Sequence, residues 1–340
     1  MTTSLTMTKD SSEVAILDIA DLRHPDLDVR RRLGRELVRA CTEVGFFYIV
    51  NHQLPQTRID RMFELTRRFF DLPSEDKQAV SMARNDHFSG YLPQKLSGDA
   101  NLKGTLMEAF HAWMEPADGR KQSFAGKEMS NANVWPRPLP DMQTEVTQYI
   151  DAVARLTRDL LKVAALGIDL PEETFLCFFQ SPLSLLRLIH YPPQDSTDLV
   201  DGRFGIRPHT DNCALTLLLQ DDVGGLQILG KDREWIDVTP IPGSYVINLG
   251  ETMKLWTNGL FKATPHRVIN RSGRQRYSIA FFMNADDNAR ITPMLQEARS
   301  GGVEPVFHST VPLDDESTAG EVLHRLYARI YPSSSSNHSA

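Results

Sequence analysis

The sequence predicts a mainly β fold with a helical N-terminal region, the β part folded as a sandwich or jelly roll. Three observations point there. Apolar residues recur at three- and four-residue steps through much of the first half, whereas from Leu183 onward β-branched and aromatic residues cluster in short runs separated by turn formers. With 340 residues, 41% of them hydrophobic, the chain can bury a sizeable core. No stretch approaches the roughly 18 uninterrupted apolar residues that a membrane span needs.

From the N-terminus, Leu33, Leu37, Cys41 and Val44 make one buried stripe on a helix over 28–44 that Gly45 can end. GFFYIVNH reads as a short strand. A second helix is expected from Gln56 to Leu72, with Ile59, Met62, Phe63, Phe69 and Phe70 available for its buried face and DLPSED ending it. Turn formers dominate between Arg84 and Pro140 (NDHFSGYLPQ, NVWPRPLP), which predicts loops with short strands. A long helix from Asp141 to Leu166 carries Val146, Ile150, Val153, Leu156, Leu160 and Val163 as a core-facing stripe. The strand-like runs LRLIHYPP, ALTLLLQDD, GLQILGKDREWIDVTP, GSYVINLG, FKATPHRVIN and RYSIAFFMNA follow. Within WTNGLF, Asn258-Gly259 is a pair that closes tight hairpins.

The net charge of -7 and the scattered 37 Lys and Arg residues do not suggest a polyanion-binding surface, so nucleic acid is not expected as a partner. Cys41, Cys177 and Cys213 are odd in number and lack a C-x-x-C pair, which predicts neither a disulfide framework nor a thiolate zinc site. The N-terminal MTTSLTMTKDSSEVAILDIADL has no basic stretch followed by an apolar core, so neither secretion nor a membrane partner is expected. The chain reads as cytoplasmic.

In RPHTDNCALTLLLQDD, a histidine and an aspartate stand two apart at the head of an apolar run. On a strand, His209 and Asp211 would project to one face. The pair alone also fits a hydrogen-bonded polar couple at a strand mouth. His266, 55 residues beyond Asp211 in KATPHRVIN, supplies a third corner in another strand-like segment. Two histidines and one carboxylate leave three positions of an octahedral metal open, the arrangement of non-haem Fe(II) oxygenases. Zinc accepts the same ligands. Further on, Arg276 and Ser278 share a strand face continued by Ala280 and Phe282. An inward-facing arginine needs an anion, whereas one that faces solvent or pairs with an internal acid does not call for a ligand. A dicarboxylate chelating the metal through a keto acid end and reaching Arg276 and Ser278 with its far carboxylate would satisfy both. His52, His87, His190 and His308 have no comparable support and read as structural or solvated.

At these residues the chain resembles the Fe(II)/2-oxoglutarate-dependent dioxygenases of the isopenicillin N synthase-like family. GFFYIVNHQLP and FFDLPSEDK match the helical N-terminal part, and LRLIHYPP, HTDNCALTLLLQDDVGGLQIL, GSYVINLGE, TNGLFKATPHRVIN and RYSIAFF follow in the family's order and spacing. The resemblance implies a double-stranded β-helix core, Fe(II) on His209, Asp211 and His266, and 2-oxoglutarate on Arg276 and Ser278 with help from Tyr191. It implies residues 1–140 as the helical N-terminal region with loops, 141–310 as the long helix and cofactor-bearing core, and 311–340 as a C-terminal helix with a disordered, serine-rich tail. O2 would be consumed with release of succinate and CO2 as a small, lipophilic metabolite is hydroxylated, desaturated or cyclised. Phe110, His111, Ile189, Met253 and Phe282 are the candidate substrate contacts, with ordinary core packing the alternative for each. Ile189, Glu251 and Ala285 depart from the asparagine, aspartate and proline frequent in relatives, which bears on the substrate rather than the chemistry. A 2-oxoglutarate-independent iron oxidase and a non-catalytic jelly-roll binding protein are the alternatives.

Overall fold

In the computed structural model, which describes residues 14–85, 88–94, 105–116, 122–128, 133–195, 198, 202–295 and 317–330, the helices form where the apolar spacing placed them. Helix α1 (Leu27–Glu43) starts at Asp26, whose side chain accepts from the Asp28 N–H at 2.9 Å. It ends before Gly45, whose φ of +75° and whose closeness to the Lys262 carbonyl leave no room for a Cβ. Helix α2 (Gln56–Phe70) buries Ile59, Met62, Phe63, Phe69 and Phe70. DLPSED ends it as expected, and within that stretch Ser74 starts a short helix α3 (Ser74–Ala79). Helix α4 (Met142–Gly167) runs 26 residues and crosses α1 at Gly34, where a Cβ would lie 2.5 Å from the Val163 carbonyl oxygen.

The strands in chain order are β1 (Ala15–Asp18), β2 (Phe46–Val50), β3 (Gly90–Leu92), β4 (Glu108–Trp113), β5 (Ser123–Phe124), β6 (Lys127–Glu128), β7 (Leu185–Tyr191), β8 (Ile206–His209), β9 (Leu215–Gln220), β10 (Leu226–Leu229), β11 (Trp235–Asp237), β12 (Tyr245–Leu249), β13 (His266–Val268) and β14 (Arg276–Met283). Eight of them form a major sheet in the order β1-β2-β12-β9-β14-β7-β4-β3, and four form a minor sheet, β11-β10-β13-β8. The core is therefore a double-stranded β-helix, as expected. Four of the major-sheet strands precede residue 140, so the N-terminal region is woven into the core sheet and is less purely helical than expected.

Alternation along the major-sheet strands gives each face its own core. Leu217, Ile247, Ile279, Phe281 and Leu188 point to the helices and pack with α1, α2 and α4. Tyr48, Val246, Ile189, Tyr191 and Ala280 point the other way, against Ile228 and Val268 of the minor sheet. Asn258 and Gly259 do not close a hairpin. With φ of 51° and 77° they end helix α5 (Glu251–Trp256), and the Gly259 N–H bonds the Lys254 carbonyl at 2.8 Å. A pair that accepts positive φ serves a helix C-terminus as well as a turn, and here the chain enters it from a helix. The expected C-terminal helix is α6 (Ala319–Ile330). The serine-rich tail, His87 and His308 lie outside the described residues. Among the described residues no helix is long and apolar enough to cross a membrane.

Candidate active site

Strand β8 ends at His209, so Asp211 lies just beyond it and not on its face. The pairing His266↔His209 and Val268↔Ile206 sets three steps on β8 against two on β13, a bulge at Arg207 and Pro208. Proline has no N–H to give a ladder and is tolerated there. The bulge turns His209 and Asp211 together toward His266. One ligand atom from each of the three lies within 4.8 Å of the others. His209 Nε2 and His266 Nε2 stand 3.7 and 3.8 Å from Asp211 Oδ1.

Each of these side chains is held by its far end. His209 Nδ1 meets the Arg207 carbonyl at 2.7 Å, and His266 Nδ1 meets the Thr264 carbonyl at 3.2 Å. A carbonyl only accepts, so both Nδ1 atoms carry the proton and both Nε2 lone pairs face the centre. Asp211 Oδ2 accepts from Thr216 Oγ1 at 2.6 Å and Asn248 Nδ2 at 2.7 Å, which leaves Oδ1 for the centre. Burial, with His266 close by, lowers the His209 pKa and keeps the imidazole neutral. Burial opposes ionisation of Asp211, yet the two imidazoles and the bonds from Thr216 and Asn248 outweigh it and lower its pKa.

Arg276 is fully buried. Its Nε donates to the Gly224 carbonyl and its Nη2 to Gln220 Oε1 at 3.0 Å, while Nη1 has no hydrogen-bond partner among the described residues. The guanidinium lies 4.6 Å from the centroid of the Tyr191 ring, its register partner across β14 and β7. Ser278 Oγ reaches Tyr191 Oη at 3.5 Å. Arg276, Ser278 and Tyr191 thus meet on the face turned to the minor sheet, around one buried donor.

Of the five candidate substrate contacts, Ile189 and Phe282 belong to the core between the sheets. His111, fully buried, has the same orientation by its pairing with Arg187 and Ala109's pairing with Ile189. Phe110 and Met253 do not: both pack in the helix-side core, Phe110 with its ring 4.7 Å from that of Phe69. Phe110 pairs with Leu188, so the alternation that turns His111 inward turns Phe110 outward. His190 and His52 are structural, bonded to Glu108 and edge-on to Tyr245 respectively. Sequence reading missed Thr216, Gln220, Asn248 and Arg187. Their signal is a polar residue inside an otherwise apolar strand (LTLLLQ, YVINL, LLRLIHY).

A family profile described as the 2OG-Fe(II) oxygenase superfamily matches residues 182–285, and one described as non-haem dioxygenase in morphine synthesis N-terminal matches residues 14–138. The chain is 33% identical over 297 residues to the 2-oxoglutarate-Fe(II) type oxidoreductase hxnY of Emericella nidulans, covering 86% of this chain and 85% of that one. It is 33% identical over 302 residues to the homoarginine-6-hydroxylase 2-ODD-C23 of Glycine max, covering 85% and 90%. The crystal structure of a 2OG-Fe(II) oxygenase family protein from Caulobacter crescentus superposes with a TM-score of 0.75 at 27% identity, over 93% of this chain and 98% of that one.

Proposed function

The chain belongs to the 2OG-Fe(II) oxygenase superfamily, and from that premise we propose that His209, Asp211 and His266 hold its iron while Arg276, Ser278 and Tyr191 hold 2-oxoglutarate. The protein is an Fe(II)/2-oxoglutarate-dependent dioxygenase acting on a small molecule. When bound, the iron supplies open coordination positions at which O2 is reduced at the expense of 2-oxoglutarate, giving succinate and CO2. The observation that carries the residue assignment is the convergence of two Nε2 lone pairs and Asp211 Oδ1, with every opposite atom of those side chains already bonded.

The chain's own contribution is positioning. The Arg207 and Thr264 carbonyls fix the histidine tautomers, and Thr216 and Asn248 fix the carboxylate. The buried Arg276 Nη1 supports a distal carboxylate as its partner, because a buried cationic donor left without an acceptor is costly. Hydroxylation is the outcome we favour, supported by the Glycine max relative's name. A cytoplasmic location belongs to the same reading, supported by the free thiols of Cys41, Cys177 and Cys213.

The test is anaerobic titration of the purified chain with Fe(II) and 2-oxoglutarate, followed by oxygen. One iron per chain and slow succinate release are expected, accelerated by the organic substrate. Asp211→Ala should lose both iron and turnover. An Asp211→Ala protein with unchanged iron content and activity would remove the triad assignment.

A further inference from the structure

The two histidines of the triad are held unequally. His209 Nδ1 meets its carbonyl at 2.7 Å, whereas His266 Nδ1 meets the Thr264 carbonyl at 3.2 Å, the long end of the usual N–H···O range. His266 also opens a strand of only three residues, β13, whose register against β8 is irregular at that point. Strand β10 fixes the approach to His266 from one side, where the Leu229 N–H reaches the Pro265 carbonyl at 2.9 Å. The support from the other side comes from the first fifty residues of the sequence.

Helix α1 ends at Glu43, and the last carbonyls of a helix lack partners within it. Val44 and Gly45 both return their N–H groups to the Ala40 carbonyl, at 3.2 and 2.9 Å, which closes the helix and leaves later carbonyls to accept from elsewhere. Residues 262–264 supply the donors. The Lys262 N–H bonds the Cys41 carbonyl at 3.1 Å, its ammonium bonds the Glu43 carbonyl at 3.0 Å, and the Thr264 hydroxyl bonds the Val44 carbonyl. The helix dipole also favours a cation at this end. At Gly45 a Cβ would lie 2.2 Å from the Lys262 carbonyl oxygen, so the two segments touch backbone to backbone. Next along, Phe46 sets its ring edge-to-face with that of His266, the centroids 5.2 Å apart and both residues buried. Across the ladder Phe46 pairs with Asn248, the residue that donates to Asp211 Oδ2.

We propose that the end of α1 and the start of β2 form the seat of His266, with Thr264 and Phe46 as positioning residues that set its aim at the metal and thereby the affinity for Fe(II). This rests on the oxygenase reading of the triad. Thr264 is bonded at both ends, its hydroxyl to α1 and its carbonyl to the ligand. A residue that turns away from Val44 carries that carbonyl off Nδ1, and the imidazole is then free to rotate or to exchange tautomers, which takes the Nε2 lone pair from the centre. The rings of Phe46 and His209, 5.2 and 4.2 Å from that of His266, limit the same rotation. Packing alone asks for less, since a valine would fill the buried space of Thr264 without the hydroxyl. The N-terminal region thereby takes part in a metal site from which 220 residues of sequence separate it, counted from Val44 to Thr264.

The experiment measures two quantities on the full chain and its variants: the Fe(II) dissociation constant by anaerobic titration without turnover, and the denaturant midpoint of the metal-free protein. Thr264→Val keeps the shape of the side chain and removes its bond to Val44. Its Fe(II) affinity should fall at least about tenfold, the lower end of what losing a group behind a metal ligand costs. Thr264→Ser keeps the hydroxyl and should recover most of that loss. Phe46→Leu should weaken Fe(II) about fivefold, the scale of an edge-to-face aromatic pair, and carries the test alone should Thr264→Val fail to fold. Leu33→Ala, midway along the buried face of α1, is the control for general destabilisation: its midpoint should fall and its Fe(II) affinity should match the parent's. Parent-like Fe(II) affinity in Thr264→Val or Phe46→Leu, whatever the midpoint, overturns the proposal. So does a Leu33→Ala protein that loses as much affinity as Thr264→Val, or a Thr264→Ser protein as weak as Thr264→Val. Failure of the parent to bind Fe(II) is a different result and would sink the triad assignment itself.

Discussion

The two faces of the eight-stranded sheet are built from the same strands and follow different rules. Toward the helices, Phe47, Leu217, Ile247, Ile279, Phe281 and Leu188 form a continuous apolar surface. Toward the minor sheet, Thr216, Gln220, Asn248, Arg187, Arg276 and Ser278 interrupt the apolar residues at every second position. The helix side is held mainly by non-directional packing, so most substitutions there cost volume and buried area. On the other side each polar group has a bonded position, and the cost of change lies in what those groups hold. The difference separates stability from binding within single strands, one residue apart.

Neighbouring substitutions on β14 should break or sharpen that separation most strongly. Arg276→Ala should weaken 2-oxoglutarate on the order of a hundredfold or more, because an enclosed charge pair is worth about 3 to 5 kcal/mol and 1.4 kcal/mol is tenfold. Arg276→Lys should recover part of that, lacking the planar fork. Ile279→Ala, fully buried on the opposite face, should lower unfolding free energy by about 2 to 5 kcal/mol while 2-oxoglutarate affinity stays near the parent's. Denaturant melts and anaerobic cosubstrate titrations of both variants check this. If Ile279→Ala loses affinity as much as stability, the faces are not independent.

A polar cluster on the helix side offers a smaller effect. Glu108 on β4 shares the orientation of Phe110 and bonds His190 at 2.7 Å, Tyr91 at 2.6 Å and Lys77 at 2.9 Å. Burial works against its charge, but these bonds and the Lys77 ammonium win and lower its pKa to about 2. The folded value lies below the unfolded one, so the stabilisation is complete above the usual carboxylate pKa of 4.5 and is lost as pH falls from there toward 2. At 1.36 kcal/mol per unit this amounts to about 3 kcal/mol. Glu108→Gln should therefore be less stable than the parent at neutral pH, with the gap closing at low pH. A gap that is independent of pH between about 2 and 6 would remove the charge from the account.

Legibility in the sequence followed the same division. Helices α1, α2 and α4 were readable because each buries a stripe at helical spacing, and β7 to β14 because turn formers punctuate them. The triad was readable because His209 and Asp211 head an apolar run where polar groups have no packing role. What the sequence did not carry was register. Phe110 and His111 are adjacent and equally apolar in surroundings, yet the pairing of β4 with β7 alone sends one to the helices and the other inward. The same holds for Met253, which α5 turns into the helix-side core. The bulge at Arg207 and Pro208 is a second instance, since strict alternation predicted a regular strand through His209 and Asp211. Arg187 in LLRLIHY belongs to no motif, and only the register of β7 with β14 and β4 turns it between the sheets.

The smallest predicted effect tests the division most finely. Ser278 sits between the two substitutions already considered, on the Arg276 face and beside Ile279, and its Oγ lies 3.5 Å from Tyr191 Oη, a long contact that contributes little to the fold. Ser278→Ala removes one neutral bond to the cosubstrate, worth about 1 kcal/mol, so 2-oxoglutarate affinity should fall roughly fivefold. Its effect on stability should be slight, because the alanine methyl stays within the space of the serine and Tyr191 keeps its stacking against Arg276. The combination is diagnostic: a small loss of affinity with no shift in the denaturant midpoint marks a residue held for its ligand. A stability loss above about 2 kcal/mol with affinity intact would instead place Ser278 with the helix-facing residues in kind, as a buried group whose removal leaves a partner unsatisfied. The inner face of β14 would then be a polar core that happens to adjoin the metal, and the assignment of 2-oxoglutarate to it would rest on Arg276 alone.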